Sequence, residues 1–338
     1  MTLPRDLFAK GTGEGEGDEH PNRGPVQRTA KTTTGNAGPG ESVLITVDVE
    51  DWFQVENLRP AYPLERWDSC ELRVESSTKS LLDLLDRHRA KATFFVLGWV
   101  AERCGRLVTE IHKRGHEIAS HGWSHQLCFG LTTRELREDL LRSKSILEDL
   151  TGQAVWGYRA PSFSVTDGVV EALGELGYRY DSSLNSFSID KRHGQPNGLR
   201  AAPGREWAFA NGILELPVSN LVIGGQSVPW GGGGYFRFWP SRLFHWGVKR
   251  ILRTDGRYVF YCHPWEIDAG QPRVKEVGFL HRYRHYKNID GTLKRLDRFL
   301  TEFRHCGLVS CRDYLGDRAR GVDWSDPLSP AREGSGKQ

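Results

Sequence analysis

An α/β fold built around a parallel sheet or barrel is what this 338-residue sequence predicts, on three observations. Short apolar runs alternate with amphipathic helical segments between residues 43 and 181, the pattern of repeated βα units. The first run, Val43-Leu44-Ile45-Thr46-Val47, is β-branched and leads into acidic residues, as a buried strand delivering side chains to its C-terminal end would. Residues able to do chemistry stand at the ends of successive runs: Asp48, Glu50 and Asp51, then His121 and His125, Arg159, Asp181 and His263. In a barrel, those ends converge on one mouth.

The elements follow in order. Thr78 to Leu85 reads as an amphipathic helix capped by its Thr or Ser start, and Ala92 to Val96 as a strand. Val100 to Arg114 is a helix, Glu117 to Ser120 a strand, Thr133 to Leu150 a capped helix and Val155 to Arg159 a strand. Val169 to Leu176 and Tyr178 to Asp181 complete the regular alternation. From Ser183 to Tyr235 the sequence turns Gly- and Pro-rich, with isolated strands such as Leu214 to Pro217. The run Gly231-Gly232-Gly233-Gly234-Tyr235-Phe236-Arg237 lacks the Lys-Ser/Thr ending of a phosphate loop and reads as a flexible loop near the site. Pro240 to Leu252 is a helix, Tyr258 to Cys262 a strand and Leu293 to Phe303 a final long helix. Residues 41–320 are expected to form one domain, flanked by a Gly-, Thr- and Pro-rich tail over 1–40 and a flexible tail over 321–338.

Lys+Arg 46 against Asp+Glu 43 gives a formal net charge of +3, too small to argue for nucleic acid or an anionic membrane as principal partner. Six scattered cysteines in a chain of this size read as reduced, buried thiols rather than a disulfide framework or zinc site. Residues 1–30 hold no apolar signal-peptide core, and no run approaches the length of a membrane span. The expected location is the cytoplasm, at the inner membrane only if a partner holds the chain there.

The most informative segment is Ser120-His121-Gly122-Trp123-Ser124-His125, two imidazoles four residues apart. With one carboxylate and an open position, they suit a divalent metal that activates water. Glu50 is the expected carboxylate, because residue i+2 of a strand returns to the face of Asp48; Asp51 reaches the same place only if the strand ends there. Singly, each carboxylate reads as a cap or turn residue and each histidine as a satisfied core or surface group. The joint pattern is harder to explain that way. His281 and His285 have helical ligand spacing without a completing carboxylate and read as substrate contacts or a solvated face. Trp52, Trp123, Trp230 and Trp265 stand near the expected mouth or its loops, where a flat face can stack on a substrate ring or simply pack the loop; Trp123 and Trp265 are the candidates for substrate contact.

These motifs resemble the NodB-homology polysaccharide deacetylases of carbohydrate esterase family 4. The matching residues are Thr46-Val47-Asp48-Val49-Glu50-Asp51, Ser120 to His125, Gly157-Tyr158-Arg159-Ala160-Pro161-Ser162 and the strand ending in His263, spread over about residues 43 to 315. Asp48 to Phe53, Gly232 to Arg237 and His263-Pro264-Trp265-Glu266 are similar to signatures of the branch associated with exosortase/PEP-CTERM exopolysaccharide loci. The resemblance implies a distorted (β/α) barrel with an appended C-terminal region and hydrolysis of N-acetyl groups on N-acetylhexosamine units. It implies Asp48 as general base, Arg159 as the cation that pairs with it, His263 as general acid and the backbone N–H near Ser162 as an oxyanion donor. His121, His125 and Glu50 or Asp51 would hold the metal: zinc first, with cobalt, manganese, iron and nickel open. Asp181 stands where the family supports its catalytic histidine, although the usual Asp-Trp pattern is not cleanly reproduced, and a substrate contact or a turn cap is the alternative. The implied substrate is an N-acetylated polysaccharide or lipid-linked oligosaccharide, with exopolysaccharide assembly proteins as candidate partners. Two alternatives stand beside it: a metal-independent cyclic amide hydrolase on the same barrel, and an inactive glycan-binding subunit.

Overall fold

The computed structural model describes residues 40–186, 194, 196–201, 207–318 and 324. The tails expected over 1–40 and 321–338 lie outside the described residues except for Gly40 and Trp324.

The first half alternates as the periodicity predicts: β1 (Ser42–Val49), α1 (Val74–Arg87), β2 (Thr93–Val96), α2 (Gly98–Arg103), α3 (Gly105–Lys113), β3 (Glu117–Ser120), α4 (Thr133–Thr151), β4 (Gly157–Tyr158), α5 (Asp167–Glu175) and β5 (Tyr180–Asp181). The helix expected over 100–114 is two, because Cys104 leaves helical geometry (φ −121°, ψ 40°). α4 begins with a capping box, Thr132 accepting from the backbone N–H of Glu135 while Glu135 accepts from that of Thr132. α1 begins a turn earlier than Thr78, and its cap comes from outside the helix: Asp51 accepts from the N–H groups of Arg73 and Val74.

The second half contributes β6 (Arg200–Ala201), β7 (Trp207–Ala208), β8 (Leu214–Glu215), the hairpin β9 (Asn220–Ile223) and β10 (Gln226–Pro229), α6 (Gly233–Phe238), α7 (Ser241–Asp255), β11 (Arg257–Cys262), α8 (Phe279–Tyr286), α9 (Ile289–Glu302), β12 (Gly307–Val309) and α10 (Cys311–Arg318). The glycine run expected as a flexible loop is therefore partly helical. Gly232 (φ +139°) runs so close to β11 that a Cβ there would lie 2.0 Å from the Tyr261 carbonyl oxygen, so the packing itself demands glycine.

The parallel strands run in the order β11-β1-β2-β3-β4-β5-β8, with β7 and β6 added antiparallel beyond β8. β12 pairs with the first residues of β1, and β2 with the last. Instead of a β8–β11 ladder, single contacts satisfy the free edge of β11: Val259 N–H donates to Ser219 Oγ at 2.9 Å, and Tyr261 N–H to the Gly231 carbonyl at 2.9 Å. The result is a distorted (β/α) barrel.

Strand alternation sorts its two faces. Val43, Ile45, Val47 and Val49 of β1 pack outward in the large core, whereas Leu44 joins Phe95, Ala119, Tyr180, Leu214 and Val259 in the interior. Tyr314 and Leu315 of α10 belong to that inner cluster. Glu117 anchors α10 there, accepting from Thr93 Oγ1 (2.6 Å), Tyr180 Oη (2.9 Å) and Arg312 N–H (2.9 Å). Fully burying each such Leu, Val or Phe stabilises by about 1.5–3 kcal/mol.

Candidate active site

Thr46 and Asp48 share the inner face of β1 with Leu44. The strand ends at Val49, and a tight turn, in which Glu50 N–H donates to the Asp48 carbonyl at 3.0 Å, returns Glu50 toward the mouth. Both carboxylates are buried. Arg159, the residue after β4, is fully buried among them: Nη1 donates to Asp48 Oδ1 (2.7 Å) and Thr46 Oγ1 (2.7 Å), Nε to the Ser182 carbonyl (2.9 Å) and Nη2 to Ser182 Oγ (2.9 Å). A guanidinium held at this many points fixes the Asp48 carboxylate in orientation.

His121 follows β3 directly. Its Nδ1 lies 2.8 Å from the Arg159 carbonyl, which can only accept, so Nδ1 carries the proton and Nε2 keeps its lone pair. His125 sits in the next loop at φ +52°, a costly geometry for a non-glycine residue. Asp139 of α4 braces that loop, accepting from Trp123 N–H (2.7 Å), Ser124 N–H (3.0 Å) and Ser124 Oγ (2.6 Å), and Arg59 donates to the His125 carbonyl. The outcome is a cluster: Nε2 of His121 and of His125 lie 3.4 and 3.2 Å from Glu50 Oε1. One ligand atom from each of Glu50, His121 and His125 lies within 4.8 Å of the others. Burial alone would raise the Glu50 carboxyl; the facing imidazoles of His125, His263 and His121 outweigh it and hold the group well below its ordinary value.

His263, the residue after β11, faces this cluster with Nε2 3.8 Å from Asp48 Oδ2 and 3.5 Å from Glu50 Oε1. Its Nδ1 lies 3.4 Å from Glu266 Oε2, and Arg237 Nε donates to Glu266 Oε1 at 3.0 Å. Burial lowers the His263 imidazolium value, but Glu50, Glu266 and Asp48 prevail and raise it to about 9. Trp265 stacks on His263 (centroids 5.2 Å) and on the buried His285 (4.5 Å). His285 is therefore neither a metal ligand nor solvated; Nε2 lies 2.6 Å from Gln271 Oε1, while His281 is exposed.

A cavity of about 900 Å³ opens over Asp48, Glu50, His121, His125 and His263, a size suited to several sugar units. Ser162 (φ +50°) and Trp265 line it, and Asn185, Asn220, Tyr235, Tyr261 and Tyr283 supply walls from the second half.

Three expected site residues lie elsewhere. Asp51 accepts from three backbone N–H groups, those of Trp52, Arg73 and Val74, and so caps two helical segments instead of joining the histidines. Trp123 donates from Nε1 to Glu102 at 2.8 Å beneath the Arg142 guanidinium (3.6 Å), outside the cavity wall between α2 and α4. Asp181 does not touch His263: it accepts from Ser183 Oγ (2.5 Å) and is the register partner of Glu215 on the adjacent strand. The carboxylate beside His263 is Glu266, legible only as the fourth residue of His263-Pro264-Trp265-Glu266. Trp52 and Trp230 are likewise buried, donating to the carbonyls of Glu71 and Phe244.

Comparison with known proteins finds two family models along the chain. The polysaccharide deacetylase family model matches residues 39–180, and the model for the domain of unknown function DUF3473 matches residues 182–312. A peptidoglycan deacetylase of Helicobacter pylori is 35% identical over 110 residues, 32% of this chain and 38% of the relative. A peptidoglycan-N-acetylglucosamine deacetylase of Bacillus cereus is 32% identical over 102 residues, 30% of this chain and 47% of the relative. The chain thus spans less than half the length of these curated relatives. A Mycobacterium smegmatis crystal structure described as a candidate polysaccharide deacetylase shares the fold at 21% identity, with a TM-score of 0.54 over 88% of this chain and 96% of that one. Residues 39–180, with β1 to β5 and the motifs at Asp48, His121 to His125 and Arg159, thus carry a polysaccharide deacetylase domain by their match to that family's model.

Proposed function

We propose that this protein is a divalent-metal-dependent hydrolase that removes N-acetyl groups from N-acetylhexosamine units of a glycan. The observation that supports it most is the meeting of Asp48, Glu50, His121, His125 and His263 over one cavity. The donor set fits a cation: one carboxylate and two imidazoles in mutual reach, with His121 Nε2 left as a lone pair by the bond at Nδ1. Zinc suits such a site best, and cobalt, manganese, iron or nickel share the donor preference. When bound, the cation would polarise the acetyl carbonyl and make a water molecule more acidic.

The chain's own residues would carry the protons. Asp48, oriented by Arg159, takes the proton as water oxygen adds to the carbonyl carbon. His263, protonated across neutral pH by its acidic surroundings, gives a proton to the nitrogen as the C–N bond breaks. Acetate and a free sugar amine leave. Ser162 is the proposed source of a backbone N–H for the developing oxyanion.

The names of the relatives favour a glycan containing N-acetylglucosamine. The Asp48 to Phe53, Gly232 to Arg237 and His263 to Glu266 signatures favour exopolysaccharide biosynthesis, with a lipid-linked oligosaccharide at the cytoplasmic face as the form of substrate. The test is acetate release from chitooligosaccharides, before and after chelation and with zinc or cobalt restored. Release that stops with chelator and returns with metal supports the proposal; release indifferent to chelation would sink its metal requirement.

A further inference from the structure

α8 is inverted for a helix facing water. It buries His285, whereas Phe279 is 70% exposed, Leu280 71% and Tyr283 44%. These three fall within about 100° of one another around the helix axis. Phe279 stacks on Tyr283 (centroids 6.3 Å), and Tyr283 meets Phe238 of α6, itself 39% exposed, at 6.0 Å. A continuous apolar rim results, and Phe238, Leu280 and Tyr283 also line the mouth of the cavity.

Its surroundings are cationic. Residues 271–287 carry Arg273, Lys275, Arg282, Arg284 and Lys287 against Glu276 alone, a local excess hidden by the chain's small net charge. Arg273, Lys275 and Arg284 are exposed.

We infer that this rim, Phe238, Phe279, Leu280 and Tyr283 within its basic frame, docks the protein on the surface of an anionic lipid bilayer. Adjacent exposed phenylalanine and leucine suit insertion at the headgroup boundary, and the arginines and lysines complement anionic headgroups. Leu280 offers no flat face for a sugar ring, which argues against the rim serving only as a glycan platform. No described helix is long and apolar enough to cross a membrane, so contact would be peripheral. Because the rim borders the cavity, a glycan carried on a lipid would enter from the headgroup plane. That last step rests on reading the cavity as a deacetylase site; the bilayer contact does not.

The experiment is flotation of the full chain with phosphatidylcholine vesicles, with and without about one-third phosphatidylglycerol. The wild type is expected to float with the anionic vesicles and not the neutral ones. Phe279→Asp should weaken flotation about tenfold or more, and Lys275→Glu should weaken it at low salt and lessen its dependence on salt. Thermal melting checks that each variant folds. Acetate release from soluble chitooligosaccharides, which Phe279→Asp should leave unchanged, reports separately on the deacetylase reading. A wild type that stays at the bottom with both vesicles overturns the inference, as does Phe279→Asp floating like wild type. Sedimentation showing a wild-type dimer that Phe279→Asp converts to monomer also overturns it, by assigning the rim to a second copy of the chain.

Discussion

His263 and Glu266 are three residues apart and face each other, Nδ1 to Oε2, at 3.4 Å, so the histidine carries its own carboxylate on the turn that follows β11. Arg237, reaching in from α6, holds the other Glu266 oxygen at 3.0 Å. Burial would raise the Glu266 carboxyl, but Arg237 and His263 hold it below its ordinary value. A carboxylate fixed in this way selects the His263 tautomer and favours its protonated form. Glu266→Gln is therefore expected to lower kcat about 10–100-fold with little change in KM, while Glu266→Asp recovers part of it. The variant also removes one of the charges that raise His263 to about 9, so the alkaline limb of the kcat profile should move to lower pH. An unmoved limb would make Glu266 purely structural.

Glu50 and Asp51 should separate cleanly. Glu50→Gln weakens a group facing both histidines and is expected to lower metal content, measured by elemental analysis after dialysis. Asp51→Ala should leave metal content unchanged and cost about 1–2 kcal/mol of stability in urea unfolding, the effect of losing a helix cap. Metal loss in Asp51→Ala with retention in Glu50→Gln would reverse the assignment.

Asp48→Asn keeps the shape of the side chain bonded to Arg159 but cannot take up a proton. Turnover is expected to fall about 10²–10⁴-fold with metal content near wild type. A near-normal rate would remove Asp48 from the base role.

Much of this site is legible in the sequence, because a parallel strand displays its last residues at one end and His121 and His125 follow such an end, whereas His281 and His285, at the same spacing, do not. What is not legible depends on short-range geometry. Whether Glu50 or Asp51 reaches the histidines turns on one tight turn after Val49. Trp123 reads as a sugar platform until Glu102 and Arg142 occupy its N–H and its face. The glycines 231–234 read as a loop, whereas Gly232 is required by the Tyr261 backbone against it. The inverted amphipathicity of α8 is hidden because its sequence, Phe279-Leu280-His281-Arg282-Tyr283-Arg284-His285-Tyr286, does not say which face is covered.

Asp181 and Glu215, in register on β5 and β8, form a fully buried pair of carboxyl groups behind Arg159. Glu215 Oε1 accepts from Leu184 N–H at 2.9 Å, while Oε2 has no donor. A protonated Oε2 resolves this by donating to Asp181, and burial together with the Asp181 charge pushes the Glu215 carboxyl well above its ordinary value of 4.5. With the folded value above the unfolded one, the stability Glu215 contributes is complete below about pH 4.5 and is lost as pH rises through the folded value. Glu215→Gln offers the same acceptor to Leu184 and a permanent N–H donor to Asp181, without titrating. It should match wild type near pH 4.5 and gain on it by up to about 1.4 kcal/mol per pH unit above that, until the folded value is passed. Urea unfolding of both proteins between about pH 5 and 8 reads the difference directly. A constant difference across that range would mean that replacing Glu215 removes no proton taken up on folding, and would overturn the protonated Glu215.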